Sequence, residues 1–297
     1  MRFPGGWSLP KGLSPEVPHH TKTCSLLPGD PVENRDVNQN RAAMPADLSP
    51  DPLPPGVRVR NLSLRLGNLA LFDGMDFDAE AGRFTGILGV SGIGKSTLLR
   101  VIAGLEAVPG AEVGDDNRRP LSGRIAWMAQ KDLLLPWLSV LDNVRLGARL
   151  RGSLAGTEDR ALALLRAVGL EARARDLPRT LSGGMRQRVA IARTLMENRP
   201  LVLMDEPFSA VDPLTRLGLQ DLAARVLCGR TVVFVTHDPL EAVRLGHRVI
   251  VLAGRPAVPR AIALPDEAWP RPADSPAVLA AQAAILSALG APAEEQG

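Results

Sequence analysis

At 297 residues and 45% hydrophobic, the chain is long enough to bury a substantial core, in one large domain or two small ones. Its 35 basic and 32 acidic residues nearly cancel, to +3, which does not mark a nucleic-acid binder; 3% aromatics with no tyrosine leave little for stacking exposed bases. No apolar run approaches the ~18–20 residues that cross a bilayer, so work at a membrane would need spanning helices from another subunit.

Residues 1–56 read as a Pro-rich, disordered extension: prolines recur from Pro4 to Pro55, and "RDVNQNR" has no apolar period. The opening "MRFPGGWSLPKGL" lacks the apolar stretch of a secretory signal, and Met44 offers a second, later start. Cys24 and Cys228 lie far apart and in no metal-ligand spacing, as expected of a reduced cytosolic chain.

From Val57 the pattern changes to short β-rich runs. "VRVRNLSLRL" alternates like a half-buried strand. "FTGILG" (Phe84–Gly89), "LVLMD" (Leu201–Asp205), "TVVFVTH" (Thr231–His237) and "RVIVLAG" (Arg248–Gly254) are continuous apolar runs, the form taken by parallel strands covered on both faces. Helical spacing over Ser96–Leu105, Arg160–Val168 and Met185–Met196 separates them, so the fold class is α/β. The main domain is expected over 57–264, with a helical insert over about 131–180 and a C-terminal tail, 265–297. Within that tail Ala277–Leu289 forms a short amphipathic helix interrupted by Gln282 and Ser287.

"GVSGIGKST", which is Gly89, Val90, Ser91, Gly92, Ile93, Gly94, Lys95, Ser96 and Thr97, fits the phosphate-binding pattern G-x-x-x-x-G-K-[ST]. Its glycines let the backbone turn sharply and aim N–H groups inward, and the helix that follows adds its positive end. Lys95 is placed to reach the β- and γ-phosphates of ATP, and Ser96 to ligate Mg²⁺. "LVLMDEP" supplies the acids: Asp205 for the metal's shell, and Glu206 to orient the attacking water or accept its proton. A second anion site stands at "LSGGMRQRVAIARTL", where Ser182, Gly183 and Gly184 open a helix whose apolar positions are Met185, Val189, Ala192 and Met196.

These motifs, with the glutamine of "WMAQ", "SAVD" and "VTHD" in order, resemble the ATP-binding cassette (ABC) ATPases that drive membrane transporters. The resemblance implies a P-loop NTPase fold: a RecA-like core, an antiparallel β subdomain and a helical ABC subdomain. It implies that Gln130 ligates Mg²⁺ and senses the γ-phosphate, that His237 contacts the γ-phosphate, and that Asp212 faces the opposite subunit. Ser182, Gly183 and Gly184 then contact ATP held by a second copy or a paired ABC subunit, so that catalysis requires a dimer. Leu66 stands where the family usually has an aromatic residue against adenine, which implies weaker base recognition.

Phe208 in "DEPF" and the lack of a membrane span resemble importer subunits. "KDLLLPWLSVLDNVRLGARLRG" resembles the branch serving nitrate, taurine, sulfonates and the thiamine-precursor pyrimidine. There Leu133, Leu134, Leu135, Pro136 and Trp137 would receive an integral-membrane permease, with Trp137 an anchor or, alternatively, a core residue of the insert. A solute-binding protein would be an indirect partner, no nucleic acid is expected, and the site of action is the cytoplasmic face of the inner membrane, peripherally bound. An exporter subunit and a cytosolic non-transport ABC ATPase are the alternatives; the short insert, without sustained heptads, weighs against the latter.

Overall fold

The computed structural model describes residues 54–290, so the expectations for residues 1–53 and 291–297 lie outside the described residues. The chain begins with a hairpin, β1 (Val57–Leu66) and β2 (Leu69–Ala79), followed by β3 (Phe84–Gly89), α1 (Lys95–Ile102), β4 (Glu112–Gly114) and β5 (Ile125–Met128). A helical stretch follows: α2 (Val140–Val144), α3 (Leu146–Leu150), α4 (Glu158–Ala167), two short 3₁₀ turns and α5 (Gly183–Met196). Then come β6 (Leu201–Asp205), α6 (Pro213–Leu227), β7 (Thr231–Val235), α7 (Pro239–Leu245), β8 (Arg248–Ala253), β9 (Val258–Ile262) and α8 (Pro276–Gly290).

The strands form two sheets. An antiparallel one runs β2-β1-β4, and a six-stranded one runs β5-β6-β7-β3-β8-β9, parallel except for β9, which pairs antiparallel with β8. The continuous apolar runs have the expected cause. In β6, Val202 and Met204 enter the core beneath α5 and α6, while Leu201 and Leu203 enter the core beneath α1 and the hairpin. Val232 and Phe234 of β7 face the first of these cores, Val233 and Val235 the second. With no polar face, such strands lose their alternation.

β1 departs from simple alternation. Val57 and Val59 are buried, but the next buried position is Leu62, because the pairing with β2 shifts register there. Asn61 takes the bulge with a φ of +53°, a left-handed conformation that Asn tolerates; its N–H donates to Asp76 and its side-chain amide to Gly110 O.

The stretch from Gln130 to Thr180 contains no strand, as expected. The helix expected in the C-terminal tail runs unbroken through Gln282 and Ser287, and Val278 and Ile285 pack with Leu88, Val249 and Val251. Ahead of it, Trp269 Nε1 donates to Leu245 O at 2.7 Å, and the Trp269 ring packs at a tilt with its centroid 4.6 Å from that of His247 and 4.9 Å from that of Phe84. His247 Nδ1 accepts from Phe84 N at 3.1 Å. Burial, aided by the nearby Arg83 and Arg271 cations, pushes the His247 pKa down to about 4. Among the described residues no helix is long and apolar enough to cross a membrane.

Candidate nucleotide site

Between β3 and α1 the loop turns on Gly94, whose φ of +106° is strained for any L side chain. A Cβ there would also stand 2.6 Å from the ring of Phe72, so the hairpin residue Phe72 seats directly against the loop. At Gly89 a Cβ would meet Ile93 and the Leu252 carbonyl at under 3 Å, which fixes the close approach of loop and sheet. α1 begins at Lys95 and presents the unsatisfied N–H groups of its first turn at the loop. Lys95 Nζ donates to the carbonyls of Gly89 at 2.8 Å and Val90 at 3.1 Å, which leaves one proton of three. Burial lowers the Lys95 pKa, against the opposing pull of Glu206 and Asp205.

β6 delivers the acids to the same edge. Ser96 Oγ donates to Asp205 Oδ1 at 2.9 Å. Burial raises the Asp205 pKa, the Ser96 hydrogen bond opposing it. A partly buried carboxylate joined to a hydroxyl is an oxygen pair suited to a hard dication such as Mg²⁺, with phosphate and water completing the shell. Among the described residues no group of three or more His, Cys, Asp or Glu could hold a metal, so an all-protein cage is not the alternative.

Glu206 adopts a φ of +46°, a left-handed conformation uncommon outside Gly, Asn and Asp. It is held by its N–H on Val235 O at 2.9 Å and by Ser209 Oγ on its carbonyl at 3.0 Å. This twist carries the carboxylate to Gln130 and His237: Oε2 accepts from Gln130 Nε2 at 2.9 Å and lies 3.3 Å from His237 Nδ1. Three segments far apart in sequence thus meet at one oxygen. His237 is followed by Asp238, which caps α7 by accepting from the N–H of Leu240. Behind it Glu241 is buried with Oε1 unpartnered; burial, with nearby Asp238, pushes its pKa up to about 8.

Ser182 caps α5, its Oγ accepting from Met185 N at 3.2 Å. A Cβ on Gly183 would stand 3.6 Å from Ala210 O, and one on Gly184 2.5 Å from Thr215 Cγ2. Asp212 caps α6 by accepting from Thr215 N at 3.0 Å. The Ser182–Gly184 turn therefore packs against Ala210 and, through Thr215, the start of α6.

Of the five apolar residues after Gln130, Leu133 and Trp137 are 59% and 71% exposed, while Leu134 packs on the core. Trp137 is thus no core residue of the insert. The loop's anchors are polar and were not singled out from the sequence. Buried Asn143 accepts from Leu135 N and donates to the carbonyls of Leu135, Leu138 and Ser139. From α5, Arg186 pairs with Asp132 at 3.0 Å and Arg193 donates to the carbonyls of Asp132 and Leu133. An asparagine amid apolar helix positions was the available signal for Asn143. Leu66 is 57% exposed and pairs with Leu69 at the hairpin tip.

Residues 72–209 match the ABC transporter family. An uncharacterized ABC transporter ATP-binding protein of Haemophilus influenzae is 42% identical over 238 residues, covering 79% of this chain and 98% of that protein. The aliphatic sulfonates import ATP-binding protein SsuB 2 of Nocardia farcinica is 45% identical over 248 residues, covering 81% and 98%. Its counterpart SsuB 1 of Pseudomonas fluorescens is 42% identical over 243 residues, covering 81% and 89%. Among solved structures, a dimeric ATP-binding cassette in a post-hydrolysis state with ADP and Pi is 33% identical with a TM-score of 0.61, covering 71% of this chain and all of that one.

Proposed function

Because the chain belongs to the ABC transporter ATP-binding family and is an ATP hydrolase of that type, we propose that it drives solute import through a separate permease, with Glu206 orienting or deprotonating the attacking water. The observation that carries the assignment is the convergence of Gln130 and His237 on Glu206 Oε2. A carboxylate so placed beside a phosphate-binding loop can hold a water in line with a γ-phosphate. Lys95 and His237 offset charge on the transferring phosphoryl group, and the loop from Gly89 to Thr97 orients the chain of phosphates. Ser96, Asp205 and Gln130 would hold Mg²⁺, which when bound neutralises phosphate charge.

Ser182, Gly183 and Gly184 serve the ATP of a second copy, with Asp212 beside them. The dimeric cassette of similar fold supports this pairing. Leu133 and Trp137, exposed on a loop tied to α5, are the permease contact, which puts the protein peripherally on the cytoplasmic face of the inner membrane. The names of the relatives support organosulfonates as cargo.

The variant Glu206→Gln tests the mechanism: it should bind ATP, accumulate an ATP-bound dimer and lose turnover on the order of a hundredfold or more. Turnover at the wild-type rate would remove Glu206 from its role. Cargo is tested by deleting the gene: growth on an alkanesulfonate as sole sulfur source should stop, and undiminished growth would exclude that cargo.

A further inference from the structure

Two loops of the site are joined by one guanidinium. Arg216 lies in the first turns of α6, just past Asp212. Its Nη2 donates to Val211 O at 3.1 Å, the carbonyl immediately before Asp212. Its Nη1 donates to Asp238 Oδ2 at 3.2 Å, the residue immediately after His237. Asp238 is itself rigidly placed: its N–H donates to Thr236 Oγ1 at 3.0 Å, and its Oδ1 caps α7. On the other side, the start of α6 touches the Ser182–Gly184 turn, through Thr215 against Gly184.

We propose that Arg216 is a positioning residue that ties the Ser209–Asp212 loop to the His237 loop, so that engagement of the Ser182–Gly184 turn on a partner's nucleotide is passed to the His237–Glu206 pair of its own site. The inference rests on the ATPase reading above. The chain of contact is continuous: Gly184 to Thr215 on α6, Arg216 on the same helix, Asp238, then the adjoining His237, which stands 3.3 Å from Glu206. A guanidinium suits this work because its planar fork holds two acceptors in fixed relative positions, which a lysine ammonium does not. Side-chain exposure of 25% and 24% shields the pair only in part, so its worth lies in geometry and not in net ion-pair energy. Movement of either loop by about 1 Å is enough to change turnover strongly.

The test compares Arg216→Ala, Arg216→Lys, Asp238→Asn and the double variant Arg216→Ala/Asp238→Asn, with Glu206→Gln as reference. Asn at 238 keeps an oxygen to cap α7 while facing Arg216 with an amide donor. Each of Arg216→Ala and Asp238→Asn should lower kcat about tenfold with KM and the melting temperature little changed. The double variant should be no slower than Arg216→Ala alone, and Arg216→Lys should restore only part of kcat. Unchanged kcat in either single variant, or losses that multiply to about a hundredfold in the double, would overturn the proposal. A turning-over Glu206→Gln would instead overturn the ATPase mechanism, whatever Arg216 does.

Discussion

Ser96 and Asp205 are separated by 109 positions, yet the Ser96 hydroxyl donates to the Asp205 carboxylate across 2.9 Å, joining the start of α1 to the end of β6. Burial already disfavours the Asp205 anion. Removing that charge with Asp205→Asn should leave metal-free ATP binding within about threefold of wild type while abolishing the gain that Mg²⁺ confers, because in the proposed site Asp205 would be the one anion among the residues holding the ion. Titrations of fluorescent ATP with and without Mg²⁺ read this directly, and an intact Mg²⁺ gain would place the ion elsewhere.

Leu66 offers an exposed aliphatic surface where an aromatic ring would add a π face. Leu66→Tyr should lower the ATP KM at least about fivefold, from the ~1–3 kcal/mol that base stacking contributes, and sharpen preference for ATP over GTP. Its exposure means the melting temperature should stay put, so an unchanged KM could not be blamed on misfolding.

His247 is packed as a neutral ring against Phe84 and Trp269, with its pKa lowered to about 4. The unfolded chain therefore binds an extra proton between about pH 6.5 and 4, and stability falls as pH falls through that window. The loss should reach about 3 kcal/mol near pH 4. His247→Gln, which keeps an acceptor for Phe84 N, should flatten the acid limb of a melting-temperature profile; an unaltered slope would mean the ring is charged or exposed.

Glu241 behaves oppositely. Its folded-state pKa is raised to about 8, so the native protein holds the proton and stability falls as pH rises from about 4.5 to 8. Glu241→Gln should melt higher than wild type at pH 8.5 and converge with it near pH 5, the difference being on the order of a few kcal/mol. A constant offset between the two proteins at all pH values would show that the carboxyl does not titrate on unfolding.

The phosphate loop and β3, β6, β7 and β8 were legible because their signals are local: glycines at fixed offsets, and apolar runs that two-sided burial makes continuous. β4, with three residues, and β9, whose side chains are mostly exposed, carry no such run. The bulge at Asn61 was illegible because register depends on what β2 offers opposite it. Glu206 was legible as an acid at a strand end, but not its left-handed backbone, which glutamate does not favour and which Val235 and Ser209 impose from outside. The Arg216–Asp238 pair, 22 positions apart, joins α6 to the cap of α7 and exists only through tertiary folding.

β9 closes the six-stranded sheet on one side, with Pro259 opposite Leu252 and Arg260 opposite Val251. An open ladder edge invites any other strand to add to it. Proline has no backbone donor to offer, and the adjoining charge resists burial, so edge-to-edge pairing between copies is discouraged. The proposed reversible closure on a second copy requires the other surfaces not to associate permanently. Replacing Pro259 with Val would put that safeguard to the proof as visible fibre or precipitate under conditions where the native chain stays in solution.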